Sequence, residues 1–160
     1  FEMPGAIKLL SKKNKIYCVS AKQWLPIAYP WDLLKADRKL RKRKNLIGKG
    51  SKITGNIKNS SIGDNCIING NIENSIIMDN TIIDNSLIKN SIVGENVYFK
   101  GKIISKSNAY SAVKGKKIKV HRLGAIIADN AKAKNVIINA GCKIWPNKFI
   151  SNKVIKEDLI

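Results

Sequence analysis

Asn45–Asn59 (NLIGKGSKITGNIKN), Ser60–Asn74 (SSIGDNCIINGNIEN), Ser75–Asn90 (SIIMDNTIIDNSLIKN) and Ser91–Lys106 (SIVGENVYFKGKIISK) are successive versions of one unit of 15 to 16 residues. Self-similarity at so short a period marks stacked coils, because so small a unit cannot bury its apolar face alone and must lay it against its neighbours. In register, the copies place Ile47, Ile62, Ile77 and Val93 in one column, Ile53, Ile68, Ile83 and Phe99 in a second, and Ile57, Ile72, Leu87 and Ile103 in a third. Three apolar columns per turn predict a three-sided prism. Between them stand Gly50, Asn65, Asn80 and Asn96, and then Gly55 and Gly70, residue types that accept the left-handed backbone of a sharp corner. The small residues Ser51, Cys66, Thr81 and Val97 follow the first corner, as a narrow interior requires. A helix does not fit: apolar spacings of five and six residues hold no helical face, and β-branched isoleucine predominates. The expected fold is mainly β, a β-solenoid of stacked coils.

The periodicity returns after residue 122. Ile127 and Ala133 are six apart, as are Ile138, Ile144 and Ile150, with Asp129-Asn130, Ala140-Gly141 and Pro146-Asn147 at the corners. The chain therefore divides into an appendage over residues 1–44, a solenoid over 45–150 with a loop insertion at 107–122, and a short amphipathic tail over 151–160 expected to cap the open end of the prism. Within the appendage the pattern predicts a helix fragment at Ala6–Leu10, a strand at Ile16–Val19 and a helix over Pro30–Leu40 with proline near its first turn.

Charge is the second global fact. Thirty Lys and Arg against 11 Asp and Glu give a formal net of +19 over 160 residues. Such a balance favours anionic partners: nucleic acid, the phosphates of nucleotides and coenzymes, or a membrane surface. The ordinary reading is that lysine solvates the outer faces of an otherwise uncharged prism. The densest run, Lys35–Lys44 (KADRKLRKRK), closes a predicted helix, where cations complement the dipole. Nucleic-acid recognition would call for aromatic residues interleaved with the basic ones or a known recognition fold, and a repeat rich in Ile and Asn offers neither. No apolar run approaches the length of a membrane span, and Phe1–Leu10 lacks the pattern of a cleavable leader. Cys18, Cys66 and Cys142 are odd in number, and two of them fall at small-residue sites of repeat-like segments. Buried thiols in a reducing cytoplasm are expected, with neither metal nor disulfide use. An opening Phe1 in place of Met fits a piece of a longer protein.

The repeat resembles the hexapeptide, left-handed parallel β-helix family of acyltransferases. Its flanks are more specific. Trp24–Ala36 (WLPIAYPWDLLKA) is similar to the closing segment of the sugar-1-phosphate nucleotidylyltransferase domain in bifunctional enzymes of UDP-N-acetylglucosamine and dTDP-sugar synthesis, where Trp-x-Asp-x-Gly runs into Pro-Trp-Asp-Leu-Leu. Arg122–Ile144 (RLGAIIADNAKAKNVIINAGCKI) is similar to the coil that follows the repeat in archaeal and bacterial forms of the same proteins, and the order of the three blocks matches. The left hand of the helix comes from this resemblance, since the general rule for parallel crossovers gives the opposite hand. In the nucleotidylyltransferase motif the Asp helps to hold Mg²⁺, but Pro26 stands at that position and Ala28 where the Gly would be. No glycine-rich nucleotide loop precedes Trp24. Mg²⁺ thus belongs only to a nucleotidylyltransferase domain of which residues 1–44 are a remnant.

The family's acetyltransferase uses a His as general base toward the amine that attacks acetyl-CoA. The His-Leu-x-Tyr-x-Gly-Asp-like segment that carries it has no counterpart between Val97 and Asn108. His121 is the one histidine of the chain and so the one candidate base, although it aligns with a basic position before Arg-Leu-Gly, and its ordinary reading is a structural or solvated residue. Ser107–Val120 (SNAYSAVKGKKIKV) resembles the protruding loop that contacts sugar or coenzyme, and the resemblance makes Asn108 and Tyr110 candidate binding residues. Its ordinary reading is a solvated turn, Lys114–Lys117, between two strands. Arg122 matches the basic residue before Leu-Gly, and Ala128 sits where a small residue admits the pantetheine arm.

Two functions from different classes follow. The first is structural: the β-helix domain of a sugar-nucleotide-synthesising enzyme, which the resemblance implies to be a homotrimer packed through prism faces. The alternative is an acetyl-CoA-dependent N-acetyltransferase acting on an amino-sugar-1-phosphate, in which Lys and Arg hold the phosphates of a sugar phosphate or nucleotide sugar. A binding module for anions or nucleic acid is the third reading, and it would show steep salt dependence.

Overall fold

The computed structural model describes residues 3–160. Two short helices, α1 (Met3–Ser11) and α2 (Asp32–Leu40), precede the strands. The first four coils are built from β1 (Leu46–Ile47) and β2 (Lys52–Lys58), β3 (Ser61–Ile62) and β4 (Ile67–Glu73), β5 (Ile76–Ile77) and β6 (Ile82–Lys89), and β7 (Ile92–Val93) and β8 (Tyr98–Ile103). A hairpin, β9 (Lys106–Val113) and β10 (Lys116–Leu123), then interrupts the stack. Coiling resumes with β11 (Ile126–Ile127), β12 (Lys132–Ile138), β13 (Lys143–Ile144), β14 (Phe149–Ser151) and β15 (Val154–Ile155).

The two-residue strands β1, β3, β5, β7, β11 and β13 stack in parallel as one face of the prism. The longer strands β2, β4, β6, β8 and β12 run on through the second corner, so one parallel sheet, completed by β14 and β15, wraps the other two faces. The first column is continuous from Ile47 through Ile62, Ile77, Val93 and Ile127 to Ile144. The second runs Ile53, Ile68, Ile83, Phe99, Ala133 and Ile150. From coil 2 onward these side chains are buried, and each fully buried isoleucine contributes roughly 1.5–3 kcal/mol. The solenoid stands on its columns.

The third column departs from the sequence alignment at one position. Ile88, not Leu87, pairs with Ile72 and is fully buried, whereas Leu87 pairs with Asn71 and points outward. The cause is the extra residue of the 16-residue coil. Coils 1 and 2 turn the second corner on one glycine, Gly55 or Gly70, but coil 3 turns it on Asn85 (φ 42°) followed by buried Ser86, and every later residue of that coil shifts by one. Asn135 (φ 54°) and Val136 repeat this two-residue corner in β12.

Corner amides are satisfied by ladders of side-chain oxygens. Ser75 N–H donates to Ser60 Oγ, Ser91 N–H to Ser75 Oγ, and Ala125 N–H to Ser91 Oγ, each at 3.1 Å. At the first corner Asp64 N–H donates to Asp79 Oδ1 at 2.8 Å, and Lys49 N–H to Asp64 Oδ1 at 2.7 Å. These carboxylates and hydroxyls are thereby committed to holding corners, because a buried amide without a partner is costly.

Two further expectations are corrected. Ile16–Val19 forms no strand: Tyr17 and Val19 are exposed, and no strand edge among the described residues accepts it. The tail is not a separate amphipathic cap but another coil: Ile155 joins the third column beside Ile138, and Leu159 bridges to Ile144 in the first. Asp158 secures it, accepting Lys143 N–H at 2.8 Å and pairing with the ammonium of Lys143 at 2.7 Å. Of the three free cysteines, Cys66 and Cys142 are buried and Cys18 is exposed.

Candidate functional site

Both appendages of the solenoid come together above its third corner. The segment before α2 turns on Asp32, whose carboxylate accepts Ala28 N–H and Tyr29 N–H, both at 2.9 Å. This turn stacks Tyr29 on Trp31 at 4.8 Å and 19° between planes. Trp31 is buried against Ala109, Val120 and Leu123 of the hairpin, a small apolar core separate from that of the prism. At its other end α2 is clasped to the coils. Arg41, with a side chain 2% exposed, pairs through Nε with Asp37 at 2.6 Å and donates to the carbonyls of Lys44 (2.8 Å) and Asn59. Ser61 Oγ donates to the second oxygen of Asp37.

The hairpin is tight because Lys114 (φ 47°) and Gly115 (φ 75°) supply the two positive-φ positions of a type I′ turn. Its β9 strand rests on the coil through Gly141 (φ 88°), where a Cβ would overlap the Tyr110 carbonyl. Lys143 Nζ adds donor contacts to Ser111 Oγ at 3.3 Å and to the Ala112 carbonyl. The root of the hairpin is fixed by Asn90, whose Nδ2 donates to Ser105 Oγ at 2.8 Å and whose carbonyl accepts Gly124 N–H at 2.7 Å.

Between α2 and β10 lies a cleft of about 540 Å³, within the range of roughly 300–1,000 Å³ typical of small-molecule sites. Lys35 and Arg38, one helical turn apart, project from one wall; Lys119, His121 and Arg122 form the other; Asn74 and Asn90 stand at the solenoid corner beneath. None of Lys35, Arg38, Lys119 or Arg122 makes an ion pair among the described residues. Among the described residues Asp32 is the one carboxylate in the lining, and its backbone hydrogen bonds occupy it. Glu73, next to Asn74, is bonded to Lys89 at 2.9 Å, which holds its carboxyl below the usual range, with further help from the charges of Lys58 and Arg122. Of the five Lys and Arg that line the cleft, Arg41 alone is paired among the described residues.

The distribution of charge along the chain sharpens this. Residues 1–44 hold 12 Lys and Arg against 3 Asp and Glu, and residues 106–123 hold 6 against none, so these two segments carry +15 of the formal +19. The prism is therefore not evenly coated with lysine, as its composition had led us to expect. The excess sits in the two segments that supply the walls of the cleft, with β10 carrying four Lys and Arg and no acid.

Of the residues singled out by sequence, His121 and Arg122 line the cleft. Asn108, Tyr110 and Ala128 do not. Asn108 lies opposite His121 across the hairpin, and its left-handed backbone (φ 53°) interrupts the ladder at that pair. Tyr110 is exposed on β9, opposite Lys119. Ala128 sits at the first corner, where its N–H donates to the Ile144 carbonyl, away from the third-corner floor. Sequence reading assigned Lys35 and Arg38 to the helix dipole and missed them as a wall. Their three-residue spacing, set against a hairpin without a single acid, was the available signal. Among the described residues no cluster of three or more His, Cys, Asp and Glu stands ready for a metal, and no helix is long and apolar enough to cross a membrane.

No family model and no curated protein matches the chain. Among solved structures it is similar to a hexapeptide-repeat-containing acetyltransferase from Vibrio cholerae, at 14% identity over 82% of this chain and 84% of that one, with a TM-score of 0.33. It is also similar to a mutant perosamine N-acetyltransferase from Caulobacter crescentus in complex with CoA and GDP-perosamine, at 15% identity over 75% of this chain and 58% of that one, with a TM-score of 0.26.

Proposed function

We propose that the chain is an acyl-transferring β-solenoid that acetylates the amine of an amino-sugar phosphate, and that the cleft between α2 and β10 is its substrate site. The observation that carries this reading is the position of His121: the one imidazole of the chain lines a cleft together with four cations that make no ion pair among the described residues. Resemblance of the repeat to acyltransferase solenoids supplies the reaction class, and the cleft supplies the groups it needs. Lys35, Arg38, Lys119 and Arg122 suit the phosphates of sugar and acetyl-CoA, where charge-assisted hydrogen bonds are strongest. His121 takes the proton as the amine nitrogen bonds to the thioester carbonyl carbon; the C–S bond then breaks, and the departing thiolate takes that proton back. A positioned base of this kind is worth about 10²–10⁴ in rate. Thiol release from acetyl-CoA in the presence of glucosamine-1-phosphate, measured on the purified chain, tests the proposal, and release no faster than background would refute it.

A homotrimeric scaffold within a sugar-nucleotide-synthesising enzyme is a second reading, compatible with the first. It is favoured by an outward row, Ile67, Ile82 and Tyr98, aligned across three coils, in which Ile67 is 50% exposed. Exposed Tyr17, Val19 and Trp24 support residues 1–44 as the remnant of a nucleotidylyltransferase domain. Sedimentation equilibrium at micromolar concentration is expected to give three times the 17.8 kDa chain mass, and a monomer would count against it.

A further inference from the structure

From the two-walled charge of the cleft we infer that its ligand carries two linked phosphate groups, bound one to each wall. The claim concerns the same cleft as the acyl-transfer reading but is one of binding alone. Lys35 and Arg38 stand on α2, and Lys119 and Arg122 on β10, so the four cations are divided two and two between separate elements. A phosphate monoester carries about −1.5 to −2 near neutrality and offsets one such pair. A single phosphate on either wall therefore leaves the other pair uncompensated. A diphosphate spans both, and the guanidinium groups of Arg38 and Arg122 each suit bidentate contact with phosphate oxygens.

The surroundings leave these charges available. Arg41, the remaining cation on the helical face, is consumed by Asp37 and two carbonyls. Asp32 is held by backbone amides, and Glu73 by Lys89. Both walls are themselves anchored, α2 through the Arg41–Asp37–Ser61 clasp and the hairpin through Gly141, Lys143 and Asn90. Fixed walls set the spacing of the two cation pairs before a ligand arrives, which lowers the cost of binding a ligand of matching length. The cavity of about 540 Å³ exceeds what one phosphate fills and leaves room for the groups that a diphosphate joins.

The test is calorimetric titration of the full chain with inorganic pyrophosphate and with orthophosphate at equal ionic strength. Pyrophosphate is expected to bind more tightly by roughly tenfold or more, with affinity falling as salt rises. The double variants Lys35→Ala/Arg38→Ala and Lys119→Ala/Arg122→Ala are each expected to abolish that preference while keeping the thermal midpoint, since all four side chains are exposed. Lys132→Ala/Lys148→Ala, which removes two cations of the later coils, is expected to leave it intact. Equal affinity for the two anions, or equal losses in all three double variants, would overturn the inference in favour of diffuse surface charge. A mixed-sequence oligonucleotide that binds well above pyrophosphate and loses affinity in every variant would overturn it in favour of a polyanion surface. The two proposals fail separately: pyrophosphate preference without thiol release sinks acyl transfer and leaves the diphosphate site, whereas thiol release without that preference sinks the diphosphate site alone.

Discussion

Truncating two adjacent residues, Leu87 and Ile88, separates the coil register seen in the structure from the one that simple alignment of the repeats gives. Ile88 is fully buried between Ile72 and the neighbouring coil, while Leu87 faces outward and is half-buried. Ile88→Ala removes three carbons, at about 0.8 kcal/mol each, from a site that is held open by coils above and below and cannot collapse around the loss. A cavity term raises the cost to about 3–4 kcal/mol, within the usual 2–5 for such truncations. Leu87→Ala loses only partial burial and leaves no cavity, so its cost is about 1 kcal/mol or less. Urea unfolding followed by far-UV circular dichroism resolves the two, because with a slope of about 1–3 kcal/mol per molar the Ile88 variant shifts its midpoint by roughly 1 M or more. A Leu87 variant as damaging as the Ile88 variant would refute the two-residue corner at Asn85–Ser86 and restore the alignment in which Leu87 points inward.

Other predictions follow from buried groups. Burial pushes the Cys142 thiol up from 9.0 to about 11, with Asp158 adding to the shift. The folded state keeps its proton above the pH at which the unfolded chain releases it, so stability from this group is full below pH 9 and is lost between about 9 and 11; Cys142→Ala should flatten that decline relative to wild type in denaturant titrations across this range. In native protein a thiol reagent should label Cys18 alone, with Cys66 and Cys142 reacting only on unfolding, because both are buried and have raised thiols. Asp37→Ala leaves the nearly buried Arg41 without its counter-charge and is expected to cost about 3 kcal/mol or more. Because α2 then loses its clasp, pyrophosphate preference should weaken together with the thermal midpoint.

The solenoid was legible because each of its determinants is local and repeated. Isoleucine columns, asparagine or glycine at corners and small residues inside recur every coil, so errors in one copy are corrected by the next. Leu87 was misread where that redundancy fails, since a two-residue corner built on Asn85 leaves two adjacent apolar residues and only packing against Ile72 chooses between them. The tail was misread for a related reason: its column residues Ile155 and Leu159 are two members of a turn without the usual corner glycine. Half of the cleft was legible, through His121 and Arg122. Its other wall was not, because Lys35 and Arg38 lie more than 80 residues away in sequence and meet β10 only once Trp31 packs with Ala109, Val120 and Leu123 of the hairpin. Contacts of that separation leave no periodic trace in a single sequence.

The most direct test of the cleft as an acyl-transfer site is the rate of thiol release by His121→Gln against wild type, with acetyl-CoA and glucosamine-1-phosphate as substrates. His121 is exposed on β10, so the variant is expected to fold and to keep its pyrophosphate affinity while kcat/KM falls about 100-fold or more. An unchanged kcat/KM in the variant would contradict the account and place any chemistry of this solenoid elsewhere.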